Sequence, residues 1–319
     1  MLKNLRFIAL AAALLLAVTL VACGGGDDSE GDNGNSGDSG NGDGGDSSSG
    51  VELGEKELTV PYVAWAGAIA RTPLVKQLLE EVGYTVETKQ VEAGAMWSGV
   101  AEGDASFMTA SWLPATHQSY QEKYGDKVEE VGIFVDKAPL ALTVPSYMDV
   151  ESVKDLKGNK DLGEAVDWTI NGIDPGAGIM QNTQDALKKY NLEKWELQEA
   201  SEGAMISALQ EAIDNEEKIV VPLWKPHWAF AKMDLKMLDD PKEIYGGEGD
   251  RIGAVAKKSF KDDSPAAYKF LERFTEDYNQ EIENVLLKKG REMEPEKAAK
   301  EYISNNQEKV DEWTKGLGN

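Results

Sequence analysis

Cysteine and histidine are scarce in this chain of 319 residues, which has one cysteine and two histidines. A single cysteine excludes an intramolecular disulfide and any zinc site built from cysteines. Two histidines do not favour a metal centre of several histidines, and we expect neither a metal nor a cofactor. Basic residues are also few, 33 against 57 acidic ones, so the net charge is −24. We expect no nucleic-acid partner, because no excess of lysine or arginine could neutralise phosphates.

The N-terminal segment, residues 1–23, has the pattern of a secretory signal. Lys3 and Arg6 make its start positive, and an apolar run of 16 residues, Phe7–Ala22, follows. This run is short for a membrane span. It ends in the letters LVAC, which resemble the lipobox of bacterial lipoproteins. The resemblance implies that Cys23 is lipidated and anchors the mature protein at the extracytoplasmic face of the cell membrane. The alternative is an ordinary signal peptide with an incidental cysteine.

Residues 24–50 contain only glycine, serine, asparagine and seven acidic residues. Such a segment cannot bury enough apolar surface to offset the entropy lost on ordering, so we expect a flexible, extended, acidic tether. Without the signal and the tether, residues 51–319 still carry a net charge of −19. We interpret this charge as an adaptation of the surface to its environment rather than as a sign of what the protein binds.

From residue 57 onward, strand-like and helix-like runs alternate along the chain. Leu58–Tyr62 and Thr85–Val91 are strand candidates, and apolar residues recur at helical spacing between them. A threonine before a proline, Thr72-Pro73, predicts the start of this helix, and Gly83 predicts its end. The alternation predicts an α/β fold with a mostly parallel sheet.

The alternation repeats at an offset of 109 residues. GAMWS at Gly94–Ser98 matches GAMIS at Gly203–Ser207, and each lies 27 residues after a Gly-Ala pair. In each half a strand then ends in tryptophan, followed by a proline and a histidine. We therefore expect two similar α/β lobes and a helical tail. The expected boundaries are residues 51–145 plus 251–319 for lobe one and 146–250 for lobe two.

The eight tryptophans are the unusual feature of the composition. Trp65, Trp112 and Trp224 each occur where an apolar strand gives way to a loop or helix. Ligands of α/β sheets bind at the carboxyl ends of strands, so the three rings could face one cleft. Such an aromatic box suits a quaternary ammonium group, which each ring attracts by roughly 0.5–2 kcal/mol. The alternative is that the three rings belong to the core. We expect Trp228 to support the site and the remaining tryptophans to be structural: Trp97, Trp168, Trp195 and Trp313.

The glycine-containing segment Asp174–Ile179 joins a strand to a helix predicted to begin near Met180. Its free backbone N–H groups and the helix dipole favour a small carboxylate, although a tight turn without a ligand explains the segment equally well. His117, five residues after Trp112, could donate a further N–H to such a carboxylate. It could also be a loop histidine with partners of its own.

Five segments together resemble the substrate-binding proteins of ABC importers for glycine betaine and proline betaine. They are VAWAGAIA, MTASWLPATHQSYQEKYGDKV, INGIDPGAGIMQNT, SEGAMISALQEAI and VVPLWKPHWAFAKMDLKMLDDP. The family implies a two-lobed type II periplasmic-binding-protein (Venus flytrap) fold, each lobe a mixed, mostly parallel sheet flanked by helices. It also implies a tryptophan prism around a trimethylammonium group and hydrogen bonds to a carboxylate. By motif, the prism falls on Trp65, Trp112 and Trp224, and the carboxylate contacts fall on His117 and the backbone N–H groups of Gly178 and Ile179.

The resemblance implies an osmoprotectant receptor rather than an enzyme. We expect a monomer that captures a small zwitterion, glycine betaine or proline betaine, and delivers it to an ABC permease in the membrane. Alternatives within the binding class are receptors for choline, carnitine or an ectoine-like osmolyte. A secreted hydrolase is a remote alternative, because the chain has no GxSxG or HExxH motif. The acidic tether and the tail after residue 275 depart from the family pattern, and the tail has no expected role.

Overall fold

The computed structural model describes residues 50–318, so the predicted signal peptide, Cys23 and nearly all of the predicted tether lie outside the described residues. The strands of the described part are β1 (Glu57–Tyr62), β2 (Thr85–Gln90), β3 (Phe107–Leu113), β4 (Val128–Ala138), β5 (Leu140–Pro145), β6 (Thr169–Asn171), β7 (Glu196–Gln198), β8 (Val221–Trp224), β9 (Leu235–Met237) and β10 (Asp250–Lys257).

Helices follow most of these strands. They are α1 (Ala66–Val82), α2 (Ala93–Glu102), α3 (Gln118–Tyr124), α4 (Lys160–Ala165), α5 (Gly178–Lys189), α6 (Glu202–Asp214), α7 (Ala229–Lys232), α8 (Phe260–Asp263), α9 (Pro265–Asp277), α10 (Gln280–Lys289), α11 (Pro295–Asn305) and α12 (Gln307–Thr314). Two short 3₁₀ helices span Gly125–Lys127 and Val153–Leu156.

The two halves of the chain build the same series of elements. The series β1–α1–β2–α2–β3 in the first half has its counterpart in β6–α5–β7–α6–β8 in the second. Strands β1 and β2 pair in parallel, and so do β6 and β7. The GAMWS segment lies in α2 and the GAMIS segment in α6. The repeat in the sequence therefore corresponds to a repeated structural unit.

The strands form two groups, which are the two lobes of the fold. The first group contains β1–β2 and the ladder β3–β10–β4, and the second contains β6–β7 and the ladder β8–β5–β9. The predicted parallel pairing applies to β1–β2 and β6–β7, whereas β10 and β5 run antiparallel to both of their neighbours. These antiparallel strands carry the chain between the groups, and the alternation of strands and helices gave no sign of them.

The chain enters the second group of strands before the predicted boundary at residue 145. Strand β5 is the central strand of the ladder β8–β5–β9, and all of its residues are buried. It begins at Leu140, directly after β4 ends at Ala138, and β10 returns the chain at Asp250. We call the elements of residues 50–138 and 250–318 lobe one, and those of residues 140–249 lobe two.

Helix α1 starts earlier than the sequence pattern predicts. It begins at Ala66 with Trp65 as its N-cap, so Pro73 lies inside the helix and the predicted start at Thr72-Pro73 is wrong. Thr72 is buried, and its hydroxyl pairs with that of Thr109 at 3.2 Å instead of capping a helix. The predicted end is confirmed, because Gly83 adopts a left-handed conformation (φ 118°) and its N–H bonds the last turn.

The C-terminal helices pack against lobe one. Helix α9 lies on β4, and α10 and α11 lie on α1. Arg71 of α1 and Glu283 of α10 form a fully buried ion pair at 2.8 Å, and the hydroxyl of Tyr278 donates to the same carboxylate. The tail, to which the sequence assigned no role, therefore braces the helix that begins at Trp65.

None of the helices within residues 50–318 has the length and apolar character that crossing a membrane requires.

Candidate ligand-binding site

A cavity between the lobes brings the three predicted tryptophans together. Trp65 precedes α1, Trp112 lies in β3 and Trp224 ends β8, and none of the three is more than 6% exposed. The ring of Trp224 lies 6.3 Å from that of Trp65 and 6.1 Å from that of Trp112, measured between centroids. About 230 Å³ of space free of protein atoms lies between its walls, and this space includes a part that is open to solvent. Its lining is Trp65, Trp112, Thr116, Leu140, Ile173, Ala177, Gly178, Ile179 and Trp224.

The start of α5 forms the part of this lining that carries backbone donors. Gly178 and Ile179 are its first two residues, and both are among the predicted ligand contacts. Within residues 50–318, no backbone or side-chain acceptor takes their N–H groups, while the next N–H, of Met180, bonds Ala177. The positive end of the helix dipole adds to these free donors, so this edge of the cavity favours an anion.

His117 lies beside the cavity rather than in its lining. Its ring centroid is 5.9 Å from that of Trp65, and the residue is fully buried. Its Nδ1 accepts two hydrogen bonds, from Nε1 of Trp97 and from the backbone N–H of Trp112, both at 3.1 Å. Because both partners are donors only, Nδ1 carries no proton and the proton of the ring sits on Nε2. This Nε2–H is buried and has no partner among the described residues.

Burial lowers the pKa of His117 from 6.5 to about 3. The ring is therefore neutral at physiological pH, and its Nε2 acts as a hydrogen-bond donor without a formal charge. A buried donor without an acceptor costs roughly 1–3 kcal/mol. An oxygen of a bound ligand would remove that cost.

Trp97 contributes to the site through His117, so the expectation that it is only structural needs correction. Its indole N–H helps to hold the imidazole in one tautomer. The repeat contains a signal for this role, because Trp97 in GAMWS stands where GAMIS has Ile206. The tryptophan occurs only in the half whose histidine lies beside the cavity.

Two acidic residues of lobe two hold the start of α1. Asp174 accepts from the indole N–H of Trp65 at 3.0 and 3.3 Å. Glu202 accepts from the backbone N–H of Ala66 at 3.0 and 3.2 Å, and His227 bonds the same carboxylate at 3.1 Å. Burial raises the pKa of Asp174, and the hydrogen bond from Trp65 partly offsets this rise. The α1 terminus thus already has an anion, which the protein itself supplies.

Further contacts show that the two lobes are closed on each other. The hydroxyl of Tyr120 in lobe one donates to the carbonyl oxygen of Gly176 in lobe two at 2.8 Å. Gly178 approaches Thr116 so closely that a Cβ on the glycine would lie 1.9 Å from the threonine carbonyl oxygen. Only glycine can occupy that position while the lobes are in contact.

Comparison with known proteins identifies the family. The sequence matches the family model OpuAC, described as the substrate-binding domain of ABC-type glycine betaine transport systems, over residues 56–305. The chain belongs to this family. Its members are solute-binding receptors, not enzymes, which serve ABC importers.

Named relatives come from several bacteria. The glycine betaine/carnitine transport binding protein GbuC of Listeria monocytogenes is 47% identical over 163 residues, which are 50% of this chain and 53% of that protein. The chain thus matches about half the length of this relative. The glycine betaine/proline betaine-binding periplasmic protein of Salmonella typhimurium is 24% identical, and the match covers 77% of this chain and 85% of that protein.

Solved structures of the family have the same two-lobed fold, as the sequence predicts. Lactococcal OpuAC in its closed conformation with glycine betaine superposes with a TM-score of 0.75 at 37% identity, over 82% of this chain and 100% of that one. The glycine betaine/L-proline-binding protein ProX of Borrelia burgdorferi gives a TM-score of 0.77 at 31% identity, over 82% and 100% of the two chains.

Trp228, which we expect to support the site, lies outside the lining of the cavity. It stacks on His227, with ring centroids 5.3 Å apart, and the guanidinium of Arg291 lies 4.0 Å from its ring. Arg291 follows α10, so the C-terminal tail reaches lobe two at this point.

Sequence reasoning missed the acidic residues that support the site in this family member. Asp174 and Glu202 bind across the cleft, and the buried Asp250 accepts the backbone N–H groups of Ala115 and Thr116 at 2.8 Å each. The chain has 57 acidic residues, so nothing in the sequence distinguishes these three from the others. Within residues 50–318, no three potential metal ligands of the His, Cys, Asp or Glu type cluster closely enough to hold an ion.

Proposed function

We propose that the protein is the extracytoplasmic receptor of an ABC importer that captures glycine betaine, and also proline betaine, for osmoprotectant uptake. The observation that carries this proposal is a small buried cavity with two chemically different sides. One side consists of the three indole rings, and the other presents hydrogen-bond donors without partners. A zwitterion with a quaternary ammonium and a carboxylate matches both sides.

In this proposal Trp65, Trp112 and Trp224 hold the ammonium group. A quaternary ammonium has no N–H to donate, so it loses no hydrogen bond when aromatic rings enclose it. Each indole face contributes roughly 0.5–2 kcal/mol, with the larger values reached when water is excluded. The near-complete burial of the three rings supports the dry limit.

The carboxylate is bound by Nε2–H of His117 and by the backbone N–H groups of Gly178 and Ile179. The tautomer of His117 leaves its buried Nε2–H without a partner among residues 50–318, and the N–H groups at the start of α5 are free there as well. The α1 terminus does not compete for the ligand, because Glu202 already occupies it. Choline is a poorer ligand, since its single hydroxyl cannot satisfy this set of donors.

Binding and closure are coupled in this mechanism. Trp65, Trp112 and His117 lie on lobe one, whereas Trp224, Gly178 and Ile179 lie on lobe two. A ligand contacts both groups only when the lobes are together, so it shifts the population toward the closed state. The closed receptor then docks on the permease, whose partner ATPase drives import.

We further propose that the receptor is a monomer anchored through a lipid on Cys23. The LVAC ending of the apolar run supports the anchor, and the composition of residues 24–50 supports a tether between the membrane and the lobes.

Carnitine is a second candidate ligand, because the Listeria relative is named as a glycine betaine/carnitine transport binding protein. Carnitine also carries a trimethylammonium group and a carboxylate. It is longer than glycine betaine, and a direct comparison of the two affinities decides between them.

The test is a titration of the mature protein with five compounds: glycine betaine, proline betaine, carnitine, choline and ectoine. Calorimetry and tryptophan fluorescence monitor the binding. We expect the two betaines to bind most tightly and to change the fluorescence of the three cavity tryptophans. Stronger binding of choline would contradict the carboxylate site. Absence of binding by all five compounds would contradict the receptor itself.

A further inference from the structure

Thr116 brings to the cavity a polar group that the proposed function does not use. The residue belongs to the lining of the cavity and is 5% exposed. The hydroxyl oxygen Oγ1 is buried and has no hydrogen-bond partner. Within residues 50–318 only three other buried side-chain atoms share this state, and one of them is Nε2 of the neighbouring His117. Two adjacent residues, Thr116 in the cavity lining and His117 beside it, therefore each have a buried polar atom without a partner.

Other buried threonines of the chain have partners. The hydroxyl of Thr183 donates to the carbonyl oxygen of Ile179 at 2.8 Å, and that of Thr275 donates to Leu271 at 2.7 Å. Buried polar side chains are usually satisfied, and each exception calls for an explanation. At a cavity, the simplest explanation is that a ligand supplies the partner.

The backbone around Thr116 is firmly held. Its N–H and that of Ala115 both donate to the fully buried carboxylate of Asp250 at 2.8 Å, and the N–H of His117 donates to the carbonyl of Trp112 at 2.8 Å. A β-branched side chain on a fixed backbone has few rotamers. The hydroxyl is therefore positioned before any ligand arrives.

The start of α5 lies directly opposite. A Cβ built on Gly178 would approach the carbonyl oxygen of Thr116 to 1.9 Å and its Cγ2 to 2.6 Å. Thr116 and the start of α5 are thus in direct contact and line the same cavity, although they come from different lobes.

We propose that Thr116 is a specificity-determining residue whose hydroxyl donates a hydrogen bond to the carboxylate of the ligand. This inference rests on the proposed function and deepens it. A carboxylate offers about four lone-pair sites. His117, Gly178 and Ile179 fill three of them, and Thr116 fills the fourth.

The same count explains how the residue discriminates between ligands. The single hydroxyl oxygen of choline can accept at most two hydrogen bonds, so at least two donors stay unpaired when choline is bound. The hydroxyl of Thr116 therefore stabilises complexes with betaines and adds little to a complex with choline.

The experiment compares Thr116→Val, which keeps the β-branched shape and removes only the hydroxyl, with Thr116→Ser, which keeps the hydroxyl. Calorimetry on the mature protein gives Kd for glycine betaine and for choline, and thermal denaturation checks that each variant is folded. We expect Thr116→Val to raise Kd for glycine betaine about tenfold to a hundredfold, the usual effect of a hydrogen bond to a charged group. Thr116→Ser should stay within about threefold of the wild type, and the choline Kd of the valine variant should change less than about threefold.

Three results would overturn the inference. Thr116→Val could bind glycine betaine as the wild type does, it could weaken glycine betaine and choline equally, or Thr116→Ser could fail as badly as valine. The last two outcomes would assign Thr116 to packing. If Thr116→Val does not fold, Thr116→Ala replaces it, with the same expectations relative to serine. A wild-type protein that binds no betaine would instead refute the proposed function, and this role of Thr116 with it.

Discussion

The indole N–H of Trp65 donates across the cleft to the carboxylate of Asp174, at 3.0 Å from one oxygen and 3.3 Å from the other. The two residues are 109 positions apart, which is the offset of the internal repeat. Each stands between the first strand and the first helix of its own repeat. Equivalent positions of the two repeats thus touch, and one orients a tryptophan of the other that we propose to hold the ligand.

Removal of the Asp174 carboxylate should loosen Trp65 in the closed state. We expect Asp174→Ala to raise Kd for glycine betaine about tenfold, because a charged acceptor of a buried N–H is lost. Asp174→Asn keeps an acceptor oxygen and should have a smaller effect. Asp185→Ala, at an exposed position on α5, is the matched control. Equal calorimetric affinities for all these proteins would show that Asp174 does not position Trp65.

Trp224 is the ring of lobe two in the proposed cage. Trp224→Ala should weaken glycine betaine binding by well over tenfold if the cation–π contribution of a dry site applies. Trp224→Phe should lie between the alanine variant and the wild type, because phenyl has a weaker attraction for cations than indole. Tyr147→Ala removes a ring that is 50% exposed and does not line the cavity, so it serves as the control. Near-unchanged affinity of Trp224→Ala would remove this residue from the cage.

Gly178 in the first turn of α5 and Gly203 in the first turn of α6 allow a matched test of closure. A Cβ on Gly178 would lie 1.9 Å from the carbonyl oxygen of Thr116, whereas one on Gly203 would meet nothing within 4 Å. We expect Gly178→Ala to lose more than a hundredfold in affinity, since the lobes can no longer meet, and Gly203→Ala to bind normally. Small-angle scattering with ligand should show that Gly178→Ala stays open. Normal closure of this variant would contradict the assigned contact.

His117 makes the folding stability depend on pH. Burial lowers its pKa from 6.5 to about 3, so between these values the unfolded chain binds a proton that the folded protein does not. The free energy of unfolding therefore falls as the pH drops below 6.5, by about 2 kcal/mol between pH 7 and pH 5 from this residue alone. Denaturant titrations at the two pH values, repeated with His117→Asn, isolate the contribution.

The affinity for glycine betaine should not change with pH around neutrality. His117 is uncharged throughout the range from pH 6 to 9, so its Nε2–H remains a donor and Kd should stay constant there. A rise in glycine betaine affinity on acidification through pH 6.5 would indicate a charged imidazolium and contradict the assigned tautomer.

The lipid anchor predicts a simple fractionation result. Cys23→Ser removes the only thiol of the chain, so no lipid can be attached at the proposed site. We expect the wild-type protein in the membrane fraction of the cells that produce it and the variant outside that fraction, with the same affinity for glycine betaine. Equal membrane retention of both proteins would contradict the anchor at Cys23.

Local patterns in the sequence predict the parts of this fold that local physics determines. Gly83 ends α1 where the residue type indicates, and the repeat predicts two similar units. The start of α1 is missed, because Thr72 is buried against Thr109 by tertiary packing and no helix cap is needed there. The predicted boundary places strand β5 in lobe one, although β5 pairs with β8 of lobe two. The two strands are distant in the chain, so no local pattern indicates their pairing.

The candidate site also contains residues that the sequence predicts and residues that it does not. Trp65, Trp112 and Trp224 stand at or near the carboxyl ends of apolar strands, and this placement is visible in the sequence. The residues that orient the site are not, because each acts over a long separation along the chain. Asp174 reaches Trp65, and Asp250 reaches Thr116 from 134 residues away. Thr116 itself carries no motif, and only the lack of a partner for its hydroxyl distinguishes it from other threonines.

The carboxylate of Glu202 at the start of α1 has a consequence for ligand orientation. Two repeated lobes that face each other offer two helix termini, and a cleft with such pseudo-symmetry could accept a zwitterion in either of two opposite directions. Glu202 fills one terminus and leaves that of α5 free, so the proposed site would accept the carboxylate in only one direction. A single carboxylate thereby turns a pair of similar half-sites into a site with a defined head and tail.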